Sequence, residues 1–207
     1  MLRHSLRASL AHVGQALREP EDFTLAWHRQ TVDYRPEVWL ALGLTAVAGT
    51  LTYGMTMGIG LGVPAIAEKA GLLTLAAGLA WAIPLPALYI LNSMAGSRLR
   101  ASTTLLAALV TTSWGGLALV ASVPIHWFFR VAIPAQVPEL FDRETAEHIV
   151  LGVNLLVFMG VGMSMVDVFW RVITAVESRL DTQPFWFPAL IGMIGGQLFY
   201  LFGLFTW

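Results

Sequence analysis

Residues 37–62 read EVWLALGLTAVAGTLTYGMTMGIGLG, and Glu37 at the first position is their one charge. A helix through hydrocarbon needs about 20 mostly apolar residues, because lipid offers backbone N–H and C=O groups no partner. This stretch meets that requirement. Pro36, just before it, suits the first turn of a helix. Working outward, four more stretches qualify: about Leu72 to Met94, Thr103 to Phe129, His148 to Trp170 and Phe185 to Trp207. The expected fold is an all-α polytopic membrane bundle of five transmembrane helices. Residues 36–207 form the membrane domain and residues 1–35 a cytoplasmic, amphipathic helical arm.

Composition points the same way. Of 207 residues 57% are hydrophobic and 12% charged, with a mean hydropathy of +0.69. A soluble domain carries about 25% charged residues, so too little polar surface is available to cover a globule in water. Twelve basic against 13 acidic residues leave a formal charge of -1, which excludes the basic footprint of a nucleic-acid binder. The absence of cysteine excludes a disulfide frame, a thiolate zinc site and a thiol nucleophile.

The positive-inside rule sets orientation. Arg3, Arg7, Arg18, Arg29 and Arg35 lie in the arm, Arg98 and Arg100 between spans two and three, and Arg171 and Arg179 between four and five. Only Lys69, Arg130 and Arg143 fall on the other side. The N-terminus is therefore expected in the cytoplasm and the C-terminus outside. Trp39, Trp127, Trp170, Trp186 and Trp207 lie near proposed boundaries, where indoles prefer to sit. Arginine outnumbers lysine eleven to one, a usage that hints at a GC-rich bacterial genome and a bacterial cytoplasmic membrane.

The arm has no apolar run long enough for the core of a signal peptide. It is periodic instead: Leu2, Leu6, Leu10, Val13 and Leu17 share one helical stripe, with Arg3, Arg7 and Arg18 outside it. Such a helix either lies in the headgroup plane or docks on the protein's own cytoplasmic face. After Pro20, EDFTLAWHRQ reads as a second short helix with Glu21 and Asp22 at its positive end and Arg29 at its negative end.

Helices associate in a bilayer through close backbone approach and interhelical hydrogen bonds. Ala46, Thr50, Gly54, Gly58 and Gly62 recur every four residues in the first span, and Gly192 with Gly196 repeats the spacing in the fifth. These faces are expected to pack inside the bundle or to form an oligomer contact. Pro84 and Pro86 should bend the second span. Trp81 beside them and Trp114 at similar depth in the third span mark a candidate apolar pocket for a lipid tail or similar ligand.

Ionisable groups inside spans are functional candidates by default. Only Asp167 qualifies, and Arg171 follows it at the i,i+4 spacing of an ion pair, so the pair is either a boundary salt bridge or a proton- or ion-handling site. Asn154 and Gln197 lie deeper and suit interhelical hydrogen bonds. His126, beside Trp127, reads as an interfacial structural histidine. Glu144 and His148 are four apart, too few ligands for a metal. No Walker, dinucleotide or haem motif occurs, and no catalytic, cofactor-binding or metal site is expected.

The segment PALYILNSMAGSRLRASTTLLAALVTTSWGGLALVASVPIHWFF, Pro86 to Phe129, together with the five-span plan, resembles the Yip1-type membrane proteins. The resemblance implies a cytosolic arm, an outward C-terminus and a scaffold or accessory role without an active site. A DLYGP-like signature is absent from the arm, so the eukaryotic members' association with small GTPases does not carry over. The functional expectation is a non-enzymatic accessory or scaffold subunit. Its partners would be the lipid bilayer and other membrane subunits or further copies of itself, with no nucleic acid. The alternative is a small transporter or channel drawing on Asp167, Asn154, Gln197, Thr50 and Thr111.

Overall fold

The computed structural model describes residues 11–94, 96–132, 143–177 and 186–204. Among these residues the regular structure is helical, and no strand occurs. The arm gives α1 (residues 11–18) and α2 (Pro20–His28). The bundle follows as α3 (Pro36–Gly58), α4 (Val63–Ala82), α5 (Pro84–Met94), α6 (Ala101–Trp127), a π-helical turn (Phe128–Ala132), α7 (Arg143–Val176) and α8 (Trp186–Leu201). Prolines mark the starts: Pro20, Pro36 and Pro84 open α2, α3 and α5, and Pro64 lies in the first turn of α4. A first-turn residue has no N–H partner to lose, which is why proline is tolerated there.

Among the described residues four helical stretches are long and apolar enough to cross a membrane: Pro36–Gly58, Val63–Met94, Ala101–Val131 and Glu147–Val176. At about 1.5 Å per residue each exceeds the roughly 30 Å of hydrocarbon. The fifth expected span, 185–207, contains the 16-residue helix α8; residues 205–207 and 185 lie outside the described set. The boundaries of the other spans also shift. The first ends at Gly58, because Gly60 and Gly62 take φ of +87° and +102° and turn the chain. Gly62 is thus a turn residue, not the last rung of a glycine face, since a left-handed backbone ends the helix. The second starts at Val63, nine residues earlier than expected, so Glu68 and Lys69 are helical. Where a bend was expected, α4 stops at Ala82 and α5 starts at Pro84, with Ile83 between them keeping a right-handed helical backbone.

α3 is the central helix, packed against α6 on one side and α4 on the other. α7 lies on α6, α8 on α4, and α7 and α8 meet only lightly. Gly54 lies against Ala70, where an added Cβ would stand 2.6 Å from the Ala70 Cα, and Gly58 is as tightly covered by Ile66. These two glycines serve the α3–α4 hairpin inside the chain. Small residues therefore bring the two backbones together.

The arm docks on one end of the bundle. Val13, Ala16, Phe23 and Tyr34 are buried with Val38, Leu42, Leu106 and Val110. Phe23 stacks on Tyr34 at 4.1 Å, and the Tyr34 hydroxyl donates to the Phe23 carbonyl at 3.1 Å. Of the two alternatives for the arm, its described part takes the docked one. The apolar stripe residues Leu2, Leu6 and Leu10 lie outside the described residues.

Candidate functional site

The bundle borders a half-open cleft of about 1120 Å³, lined from α3 through α8, with Val47, Leu105, Leu155, Met159 and Met163 exposed along its mouth. Its origin is local. Gly43, Gly78, Gly162, Gly192 and Gly196 all border it, and a Cβ on any of them would meet nothing within 4 Å. The break between α4 and α5 adds room beside Trp81 and Pro86. Thr50, Thr74 and Thr112 line it too, but the Thr74 and Thr112 hydroxyls reach carbonyls of their own helices at 2.9–3.1 Å, and the single Thr50 hydroxyl proton has own-helix carbonyls at 3.0–3.2 Å and the Thr74 oxygen at 3.1 Å as acceptors. Such back-bonded threonines leave the wall apolar. Among the described lining residues Asp167 alone carries a charge.

Of the three residues that the sequence set around an apolar pocket, only Trp81 lines this cavity. Trp81 borders it and packs on Phe169 at 5.4 Å. Pro84 opens α5 without lining the cavity, and Trp114 packs against the Trp81–Val172 core cluster instead of facing Trp81 across a gap. Gly192 and Gly196, expected as a packing face, open onto the space, because the neighbouring α7 stands off from α8.

At the far end from the arm, Asn154 is fully buried in a polar node joining α3, α6 and α7. Its Oδ1 accepts from the Tyr53 hydroxyl at 2.9 Å and lies 2.8 Å from His126 Nδ1. His126 Nε2 lies 3.2 Å from the Thr56 carbonyl in the last turns of α3. Asn154 Nδ2 is buried without a partner among the described residues. Phe158 connects the two features, since it lines the cavity and sets its ring 5.5 Å from that of Tyr53. The sequence reading chose Asn154 and set His126 aside, because their meeting depends on how α6 crosses α7. A histidine inside a proline-bearing helix beside a buried tyrosine is the signal that was available.

The arm end carries the charges. Arg171 donates through Nε to Asp167 Oδ2 at 3.1 Å and through Nη1 to Glu21 Oε1 at 2.6 Å, tying α7 to α2. Glu177 accepts from Ser97 Oγ at 2.6 Å and from the Arg98 N–H, holding the α5–α6 connection. His28 Nδ1 lies 3.2 Å from Thr103 Oγ1. Desolvation lowers the His28 pKa from its ordinary value near 6.5, and the Arg100 charge lowers it further. At the opposite end Lys69 Nζ donates to the Gly203 carbonyl at 2.9 Å and Arg130 Nε to the Ile59 carbonyl at 3.0 Å. Both cations thereby cover carbonyls beyond the ends of α8 and α3, where negative helix poles favour them.

The remaining sequence candidates do not converge. Gln197 is exposed, Thr111 is buried, and Asp167 belongs to the arm end while Asn154 belongs to the other. His148 Nδ1 lies 2.9 Å from the Glu144 backbone carbonyl. Among the described residues no three metal-binding side chains gather.

No family model, curated protein or solved structure matches this chain.

Proposed function

We propose that this chain is a five-span integral membrane protein that works without catalysis, as a lipid-binding accessory subunit holding one apolar molecule in its central cavity. The carrying observation is the cavity itself: about 1120 Å³, bordered by every bundle helix and nearly free of polar atoms. That volume lies slightly above the roughly 300–1,000 Å³ of small-molecule sites. Apolar cavities stay dry and take apolar guests, and a bilayer supplies hydrocarbon chains at the highest local concentration.

In this reading α8 serves as the fifth span. It lies along α4, where a Cβ added at Gly195 would stand 3.6 Å from the Ala80 Cβ, and apolar residues continue to Trp207. The arm faces the cytoplasm, because most of the arginines lie in the arm or in connections at its end. The plan agrees with the Yip1-type layout that the sequence resembles. A transporter or channel would need its polar groups along one path, and Asp167, Asn154, Gln197 and Thr111 are dispersed.

Lipid extraction of the purified protein in nanodiscs tests the proposal. Wild type is expected to retain about one tightly held lipid-like molecule per chain after exchange into a second detergent, a residence that a deep apolar pocket provides. Gly162→Leu with Gly196→Leu, which fill the cavity from α7 and α8, should retain none while keeping the wild-type helical content. Equal retention in wild type and filled protein would overturn the proposal.

A further inference from the structure

The charges at one end of the cavity identify the head of its guest. Asp167 borders the space from the side nearest the docked arm, and Trp170, one turn toward the helix end, borders it too. Asp167 and Glu21 share a single guanidinium, that of Arg171. Two carboxylates against one cation leave this group with a net charge of -1. The Asp167 side chain is 68% exposed and so remains open to a further partner. An indole and a carboxylate lining the same space are a favourable setting for an ammonium group, through ring quadrupole and charge together. The rest of the lining, toward Phe158 and Phe199, is apolar. An anionic head would add a third negative charge beside Asp167 and Glu21 against the one guanidinium of Arg171, and a headless hydrocarbon would supply no counter-charge.

We infer that the cavity selects an amphiphile with a cationic amine head, its ammonium held at Asp167 and Trp170 and its hydrocarbon body running into the bundle. The inference rests on the lipid-binding reading above. Two sources have this chemistry: an amine-headed phospholipid of the surrounding leaflet and a free long-chain amine. Arg171 sets the strength of the site by neutralising part of the charge at Asp167, so its removal should strengthen amine binding.

Nanodiscs holding equal amounts of phosphatidylethanolamine and phosphatidylglycerol of matched chains provide the test, read by native mass spectrometry of the released complex. Wild type is expected to carry the amine-headed lipid about fivefold over the glycerol-headed one, the range of one partly exposed ion pair. Asp167→Asn should abolish that preference while the total lipid per chain stays constant. Arg171→Ala breaks the same ion pair, yet it should raise the preference. If both variants moved it in the same direction, Asp167 would be a structural partner of Arg171 only, and the inference would fall. Dodecylamine displacing the lipid where dodecanol does not would extend the site to free amines; lipid displacement by neither would confine it to phospholipid. Lipid retained without head preference in wild type overturns this inference and leaves the binding proposal standing. No retained lipid overturns both.

Discussion

Gly49 of α3 and Gly116 of α6 lie backbone on backbone, so close that a Cβ on Gly49 would overlap the Gly116 carbonyl group. Gly43, fewer than two turns earlier on α3, faces open space. The two glycines have the same chemistry and opposite surroundings. Gly49→Ala should therefore destabilise the bundle by about 1–3 kcal/mol, the cost of overpacking a tight contact. Gly43→Ala should lie within about 0.5 kcal/mol of wild type, as substitutions away from packed features do. Unfolding in mixed micelles by added sodium dodecyl sulfate measures both.

The node at Asn154 predicts an uneven pair of effects. Tyr53→Phe removes one donor and leaves His126 beside the Asn154 oxygen, costing about 0.6 kcal/mol, the mean for hydrogen bonds in a bilayer. Asn154→Ala leaves both the Tyr53 hydroxyl and His126 Nδ1 without their shared partner, costing about 1–3 kcal/mol. In the double variant the two losses should sum to less than their separate values, because both remove the same bond. Additive losses in the same unfolding assay would show that the bond is not formed.

Docking of the arm should weaken in acid. His28 in the docked state binds a proton less readily than in the free arm, owing first to desolvation and then to Arg100, with Arg29 acting in the same sense and Glu177 opposing. Above its ordinary value near 6.5 both states are neutral and docking is at full strength. As pH falls from there through the lowered docked value, the free arm takes up the proton first and docking is lost progressively. Hydrogen exchange of the α2 amides should accelerate over that window in wild type. In His28→Gln the acceleration attributable to this group should disappear.

Salt should loosen the same contact independently. Arg171 is 51% exposed and Glu21 28% exposed, so their bond is open to screening. Arg171→Ala is expected to cost the docked arm about 0.2–1 kcal/mol at low salt, and to make α2 exchange nearly insensitive to salt. An unchanged salt response in the variant would assign the sensitivity to other charges.

Much of the membrane plan was legible before the structure. The apolar runs from Glu37, Thr103 and His148, the break before Pro84 and the Asp167–Arg171 pair depend on neighbours within one or two helical turns. Those neighbours are printed side by side in the chain. The start of α4 was missed because Lys69 was counted with the charges outside the spans, whereas it is helical. In the structure Lys69 reaches the Gly203 carbonyl, a contact with a residue far along the chain. Gly62 was misread for a related reason: a four-residue repeat says nothing about the sign of φ. The glycine faces show the same limit. Gly54 and Gly58 are covered by α4, whereas Gly192 and Gly196 with the same spacing are open, and spacing alone does not specify which helix arrives opposite.

By itself the sequence determined that long apolar helices form and which of their ends are rich in arginine, because helix hydropathy and charge asymmetry are sums over local composition. Only the tertiary structure decided that His126, Asn154 and Tyr53 meet, that the arm docks through Phe23 and Tyr34, and that a cavity remains beside Trp81 with Asp167 at its edge. Those outcomes depend on where helices cross and how far apart they stand. Crossing and spacing arise from side chains brought together across the fold, and no single stretch of chain contains that information.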